Sequence, residues 1–159
     1  MNQAELKETV KLVVRECLRP TEDMTLFAAQ NLSKKVREKA AQIGVKAVVA
    51  ISNKGAHPVL VESSDGALIG SYDIALNKSY TVVALKMSTK TLAELAKPTG
   101  SLYGIQFTNN GKIVVFGGGE VLTNSKGEII GGIGVSGGTE EQDTALAKYG
   151  KELFEKGIN

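Results

Sequence analysis

Ten of the 18 glycines lie between Gly111 and Gly138, interleaved with β-branched apolar residues. Glycine inside a strand costs backbone entropy and packs nothing, so runs such as "EIIGGIGVS" need a cause. A flexible linker would not carry the isoleucines and valines. The pattern therefore marks a strand that is bulged, or closely approached by another backbone or a flat ligand. The same glycines spell G-x-G-x-x-G at Gly132, Gly134 and Gly137, ahead of a helical pattern. A dinucleotide-binding turn of that spelling needs a second parallel strand after the helix and an acidic residue about twenty positions on. Here the helical pattern runs almost to Asn159. Glu140, Glu141 and Asp143 in the first helical turn repel phosphate. Thr139 and Gln142 form a capping box that occupies the free N–H groups. NAD and ATP are not expected to bind at Gly132 to Gly137.

Hydrophobic spacing lays out the rest. Leu6, Val10, Val13, Val14 and Cys17 make one apolar stripe on a first helix. Pro20 breaks it, and Thr21 or Asp23 can cap a second helix running from about Met24 to Ile43, stopped by Gly44. "KAVVAISN" and "VLVES" read as a hairpin around the turn "NKGAHP". Residues 69–86 turn helical, with Ile74, Lys78, Thr81, Val82 and Leu85 on one side, and "TLAELAK" is a short helix ending before Pro98. "KIVVFG", "EVLTN" and "EIIGGIGVS" are the remaining strands, and Thr139 starts a last helix with Leu146, Tyr149, Leu153 and Phe154 on its apolar face. The order αα-ββ-α(α)-βββ-α predicts an α+β fold, with about five mainly antiparallel strands flanked by helices. A helix over 1–20 and a domain over 21–159 is the expected division.

A net charge of +2, with Lys and Arg scattered among acids and no aromatic-studded basic stripe, argues against nucleic acid. One Cys and one His exclude an internal disulfide and the usual structural zinc site. No apolar run is long enough to span a membrane and no secretory signal is visible, so the expected location is cytoplasmic.

The segments "KAVVAISNKGAHPVLVESSDGALIGSYDIALNKSYTVVAL", "FGGGEVL" and "GEIIGGIGVSGGTEEQD" resemble the GlcG family of haem-binding-type proteins, in particular the PduO C-terminal-like domains of propanediol utilisation. The resemblance covers nearly all of residues 24–156. It implies a five-stranded antiparallel sheet flanked by helices, homo-oligomers and haem as a cofactor, with a corrinoid as the alternative. The family's Arg-Met before Asp65-Gly66-Ala67 is replaced by Ser63-Ser64, and its Pro after the triple glycine by Val121. The lost Arg removes a bidentate partner for an anion. Residues 1–18 resemble a microcompartment encapsulation peptide, which implies docking on shell or lumen proteins and a place in the microcompartment lumen. The competing reading packs that helix on its own domain or across a dimer.

His57, the single histidine, is the candidate axial ligand for haem iron, in a turn or reaching a site shared between subunits. Gly118, Gly119, Gly134, Ser136 and Gly137 are the candidate cofactor-binding surface. Lys78 falls on the apolar side of its helix, and a buried ammonium needs a partner, for which Asp65 and Asp143 are the candidates. Three functions compete: a haem- or corrinoid-binding accessory protein of a diol-utilisation microcompartment, an oligomeric scaffold with no ligand, and a small lyase- or isomerase-type enzyme using Lys78 with an acid.

Overall fold

The computed structural model describes residues 2–17 and 22–157. It is α+β, with a sheet of four antiparallel strands between two helical layers. Helix α1 spans Gln3–Cys17, and the stripe residues Leu6, Val10 and Val13 are about half exposed or more. The side chains of Val14 and Cys17, and the break at Arg19 to Thr21, lie outside the described residues.

Helix α2 spans Leu26–Gln42. Its cap is Thr25, which accepts a hydrogen bond from the Ala28 N–H, and not Asp23. Asp23 instead accepts from the N–H groups of Met24 and Lys54, tying the entry of α2 to the first hairpin turn. Thr21, the other expected cap, is outside the described residues. Strands β1 (Val48–Asn53) and β2 (Pro58–Ser63) form the expected hairpin. The Asn53 side chain accepts from the N–H groups of Gly55 and His57, closing the turn.

Helix α3 spans Ile69–Leu85 and ends in a left-handed Lys86; α4 spans Thr89–Leu95 under a Ser88 cap. Strands β3 (Gly119–Thr123) and β4 (Ile129–Ser136) follow, then α5 (Glu140–Glu155). The sheet order is β2-β1-β4-β3. The capping box at Thr139 and Gln142 has both of its hydrogen bonds.

"KIVVFG" is not a strand, which reduces five to four. The segment crosses α3, where the Val114 N–H donates to Thr81 Oγ1 at 3.0 Å; that hydroxyl donates to the Asn77 carbonyl at 2.7 Å and lies 3.2 Å from the Lys112 carbonyl. Ile113 and Val114 are buried there. Their apolar character is satisfied by a helix flank instead of a strand ladder.

One face of the sheet packs on α2 and α5 through Leu32, Val36, Val49, Ile51, Ile133, Val135, Leu146 and Phe154. The other face receives α3. The face of α3 turned inward is Ser71, Ala75, Lys78, Ser79 and Val82, while Ile74 and Leu85 are only half-buried. That rotation explains the glycines. A Cβ on Gly134 would stand 2.1 Å from the Ala75 carbonyl oxygen and 2.7 Å from the Ser79 nitrogen, and one on Gly132 2.5 Å from a Val82 methyl. Small residues on the helix face glycines on the strand, and the two backbones come into direct contact.

Candidate functional site

Lys78 is wholly buried where α3, β4 and α5 meet. Its Nζ donates to the Val135 carbonyl at 2.8 Å and to Asp143 Oδ2 at 3.2 Å, and lies 4.9 Å from the centre of the Phe116 ring. The other Asp143 oxygen accepts from the Gly138 N–H at 2.9 Å. Asp143 therefore holds the amine and the β4–α5 turn together. Asp65, the other expected partner, is exposed in the turn before α3 and takes no part in the pair. Burial pushes the Lys78 ammonium below its usual range, opposed by the negative charges of Asp143 and Glu140. A desolvated amine beside a carboxylate can exchange a proton, but here two of its three donors are committed to Val135 and Asp143 and the Phe116 ring lies beside it.

The five other residues expected at a cofactor surface surround this pair. Gly118, at φ +111°, brings its Cα so close that a Cβ would stand 2.5 Å from Lys78 Nζ. The Gly119 N–H donates to Thr89 Oγ1. Ser136 donates to the Ser71 hydroxyl at 3.2 Å. Gly137 has the Lys46 carbonyl 2.4 Å from its missing Cβ. The space above Gly119 and Gly134 is filled by α3, so the close approach expected of a flat ligand is made there by the helix.

His57 is exposed and lies at the opposite end of the sheet. β1 pairs Val48 with Ser136 and Asn53 with Gly131, so the hairpin turn holding His57 sits beside the start of β4. The length of β4, roughly 23 Å at 3.3 Å per residue, separates that turn from Ser136 and Gly137. The structure thus brings Lys78, Asp143, Gly118, Gly119, Ser136 and Gly137 together and leaves His57 apart from them within one chain. Among the described residues, no group of three or more His, Cys, Asp or Glu side chains gathers around a metal position. No helix among them is long and apolar enough to cross a membrane.

Three features escape a sequence reading. Phe116, itself exposed, brings its ring to 4.9 Å from Lys78 Nζ although 38 residues separate the two in the chain. Glu120 is 92% buried on edge strand β3, and burial pushes its carboxyl above the usual range despite the nearby Lys151 and Lys148. Third, the His57 end carries two open clefts with Lys54 and Ile129 as common walls, of about 360 Å³ and 340 Å³.

Known proteins resemble this chain over most of its length. The family model described as haem degrading protein HbpS-like matches residues 24–152. A 15.0 kDa protein from the dhaT-dhaS intergenic region of Citrobacter freundii is 42% identical, over 82% of this chain and 92% of its own. The corrinoid adenosyltransferase PduO of Salmonella typhimurium is 33% identical over 90% of this chain, which spans 44% of that protein. A crystal structure of a PduOC–haem complex superposes with a TM-score of 0.78 at 33% identity, covering 82% of this chain and 94% of that one.

Proposed function

Since the chain belongs to the HbpS-like family of haem degrading proteins, we propose that it is a haem-binding accessory protein. The observation that carries this reading is the relative solved with haem, which shares 33% of its sequence and nearly its whole length with this chain. Haem needs an axial donor, an apolar surface and cations for its propionates. His57 supplies an exposed imidazole, and the clefts beside its hairpin turn are lined in part by Ile129 and lysines. Bound haem supplies iron for redox or ligand chemistry; the residues of this chain bind and orient it. The corrinoid alternative draws its support from PduO, of which this chain spans less than half.

Ferric haem added to the purified protein should produce a shifted Soret band and saturate. His57→Ala should move that band and weaken binding by about tenfold, ~1.4 kcal/mol. An unshifted spectrum in the variant removes His57 as ligand; no spectral change in the wild type removes haem. Cobalamin competing for the same signal would favour the corrinoid.

Association with a diol-utilisation microcompartment, and a location in its lumen, are a further part of this reading, supported by the likeness to PduO and by the exposed stripe of α1. The exposed Leu6, Val10 and Val13 offer a stripe for a shell protein's groove. Deleting residues 1–20 should leave the thermal transition of the remaining domain unchanged and abolish co-sedimentation with shell protein. Loss of soluble folding would place the helix in the core and defeat the targeting idea. Self-association is the further part of this reading, checked by sedimentation velocity.

A further inference from the structure

Asparagine followed by glycine occurs once in this chain, at Asn110-Gly111. It falls in the exposed turn Asn109–Gly111, whose residues are all left-handed, at φ +52°, +56° and +72°. Glycine tolerates that backbone, whereas a residue with a side chain is strained by it. The other asparagines outside helices are held by their side chains. Asn53 accepts from the Gly55 and His57 N–H groups, and Asn124 from those of Lys126 and Glu128. Asn2 accepts from the Ala4 and Glu5 N–H groups, and the Asn109 amide donates to the Tyr80 hydroxyl at 3.1 Å. Asn31 and Asn77 lie inside α2 and α3. Among the described residues, Asn110 is the asparagine outside a helix whose amide has no hydrogen bond. A Cβ on Gly111 would meet nothing within 4 Å, so the space beside that peptide is open. The Gly111 N–H donates to the Thr108 carbonyl at 2.9 Å. That bond closes a short tight turn on the surface and can open without unfolding the domain.

We propose that Asn110 is a self-modification site, which deamidates in the folded protein through the Gly111 nitrogen. When the turn opens, that nitrogen loses its proton and attacks the side-chain carbonyl carbon of Asn110. The bond from that carbon to the side-chain NH2 breaks, and the NH2 leaves with the proton as ammonia. Water then opens the remaining cyclic imide at either of its carbonyls, giving aspartate or isoaspartate. Isoaspartate adds one methylene to the main chain. Contacts on both sides of it fasten the segment 108–114 to α3. Asn109 bonds the Tyr80 hydroxyl, Lys112 Nζ lies 5.4 Å from the centre of the same ring, and the Val114 N–H donates to Thr81. The inserted carbon puts Asn109 and Lys112 out of step over Tyr80, so conversion loosens this strap.

The test ages the full chain at mildly alkaline pH and physiological temperature. Peptide mass spectrometry, with fragmentation that separates aspartate from isoaspartate, locates the converted residues. Asn110 should convert at least about tenfold faster than Asn53 or Asn124. Gly111→Ala, whose Cβ hinders the attacking nitrogen, should slow conversion by about tenfold. Asn110→Gln should show no conversion at this position, because its longer side chain closes a less favourable ring. The aged protein should exchange the Val114 amide hydrogen faster than fresh protein does. Asn110 converting no faster than Asn53 or Asn124, or only in urea, overturns the site. Gly111→Ala converting as fast as the wild type overturns the imide route. Unchanged exchange over 108–114 in the converted protein overturns the loosening of the strap.

Discussion

Replacing Gly134 by valine should cost this protein its native fold. The Cβ alone would stand 2.1 Å from the Ala75 carbonyl oxygen and 2.7 Å from the Ser79 nitrogen, atoms of a helix backbone that cannot rotate away. The two branch methyls would add to the clash. Relief requires α3 to lift from β4, which uncovers Ala50 and Val48 and strains the Lys78–Asp143 pair beside them. Ordinary overpacking costs about 1–3 kcal/mol because side chains adjust. Here both sides of the contact are backbone, so the loss should exceed about 3 kcal/mol, a large share of a typical stability of about 5–15 kcal/mol. Urea denaturation of Gly134→Val should show a midpoint collapsed toward zero, or no cooperative transition. Gly127→Ala is the control. That turn glycine has nothing within 4 Å of its missing Cβ and only a φ of +77° to strain, so about 1 kcal/mol is expected. Equal losses for the two variants would mean that α3 can shift, and the close-contact account would fail.

The second large effect concerns the buried pair. Asp143→Leu should destabilise by about 3–5 kcal/mol, because it leaves the Lys78 ammonium in a dry interior with the Val135 carbonyl and the Phe116 ring as its remaining partners. It also removes the acceptor of the Gly138 N–H. The double variant Lys78→Met/Asp143→Leu should lose less than the single one, since a matched apolar pair carries no desolvated charge. The pH dependence separates this from simple loss of packing. Without Asp143, burial lowers the Lys78 pKa unopposed by its partner. The folded state then binds fewer protons than the unfolded state, so stability of Asp143→Leu should rise with pH until the unfolded lysine also deprotonates. The double variant should lack that rise. A single variant whose deficit is flat with pH would show that Lys78 reaches water once its partner is gone.

These two regions also show how far a sequence can be read. Lys78 stood out because a cation at a burial-spaced position must be paired or reach water. Asp143 was one of two named partners, and only the register of β4 against α3 selected it over Asp65. The hairpin over 48–63 and the start of α5 were legible because Asn53 and Thr139 act on residues two to four positions away. "KIVVFG" misled because apolar β-branched runs report burial, and burial against the flank of α3 leaves the same signature as pairing in a sheet. The α2 cap was misplaced because Asp23, a good cap by type, is held by Lys54 from a turn about thirty residues on.

The amino-acid sequence by itself determined the elements and the tightness of one contact: local capping, 3.6- and 2-residue periodicities and a glycine-rich strand depend on neighbours within a turn or a pleat. The tertiary structure decided what each feature is for. It placed α3 on the glycines where a ligand was expected, and it put His57 roughly a strand's length, about 23 Å, from Ser136 and Gly137. Those outcomes depend on distances across the sheet and on which helix face turns inward. Both are set by the packing of the whole domain, and no local pattern of residues encodes them.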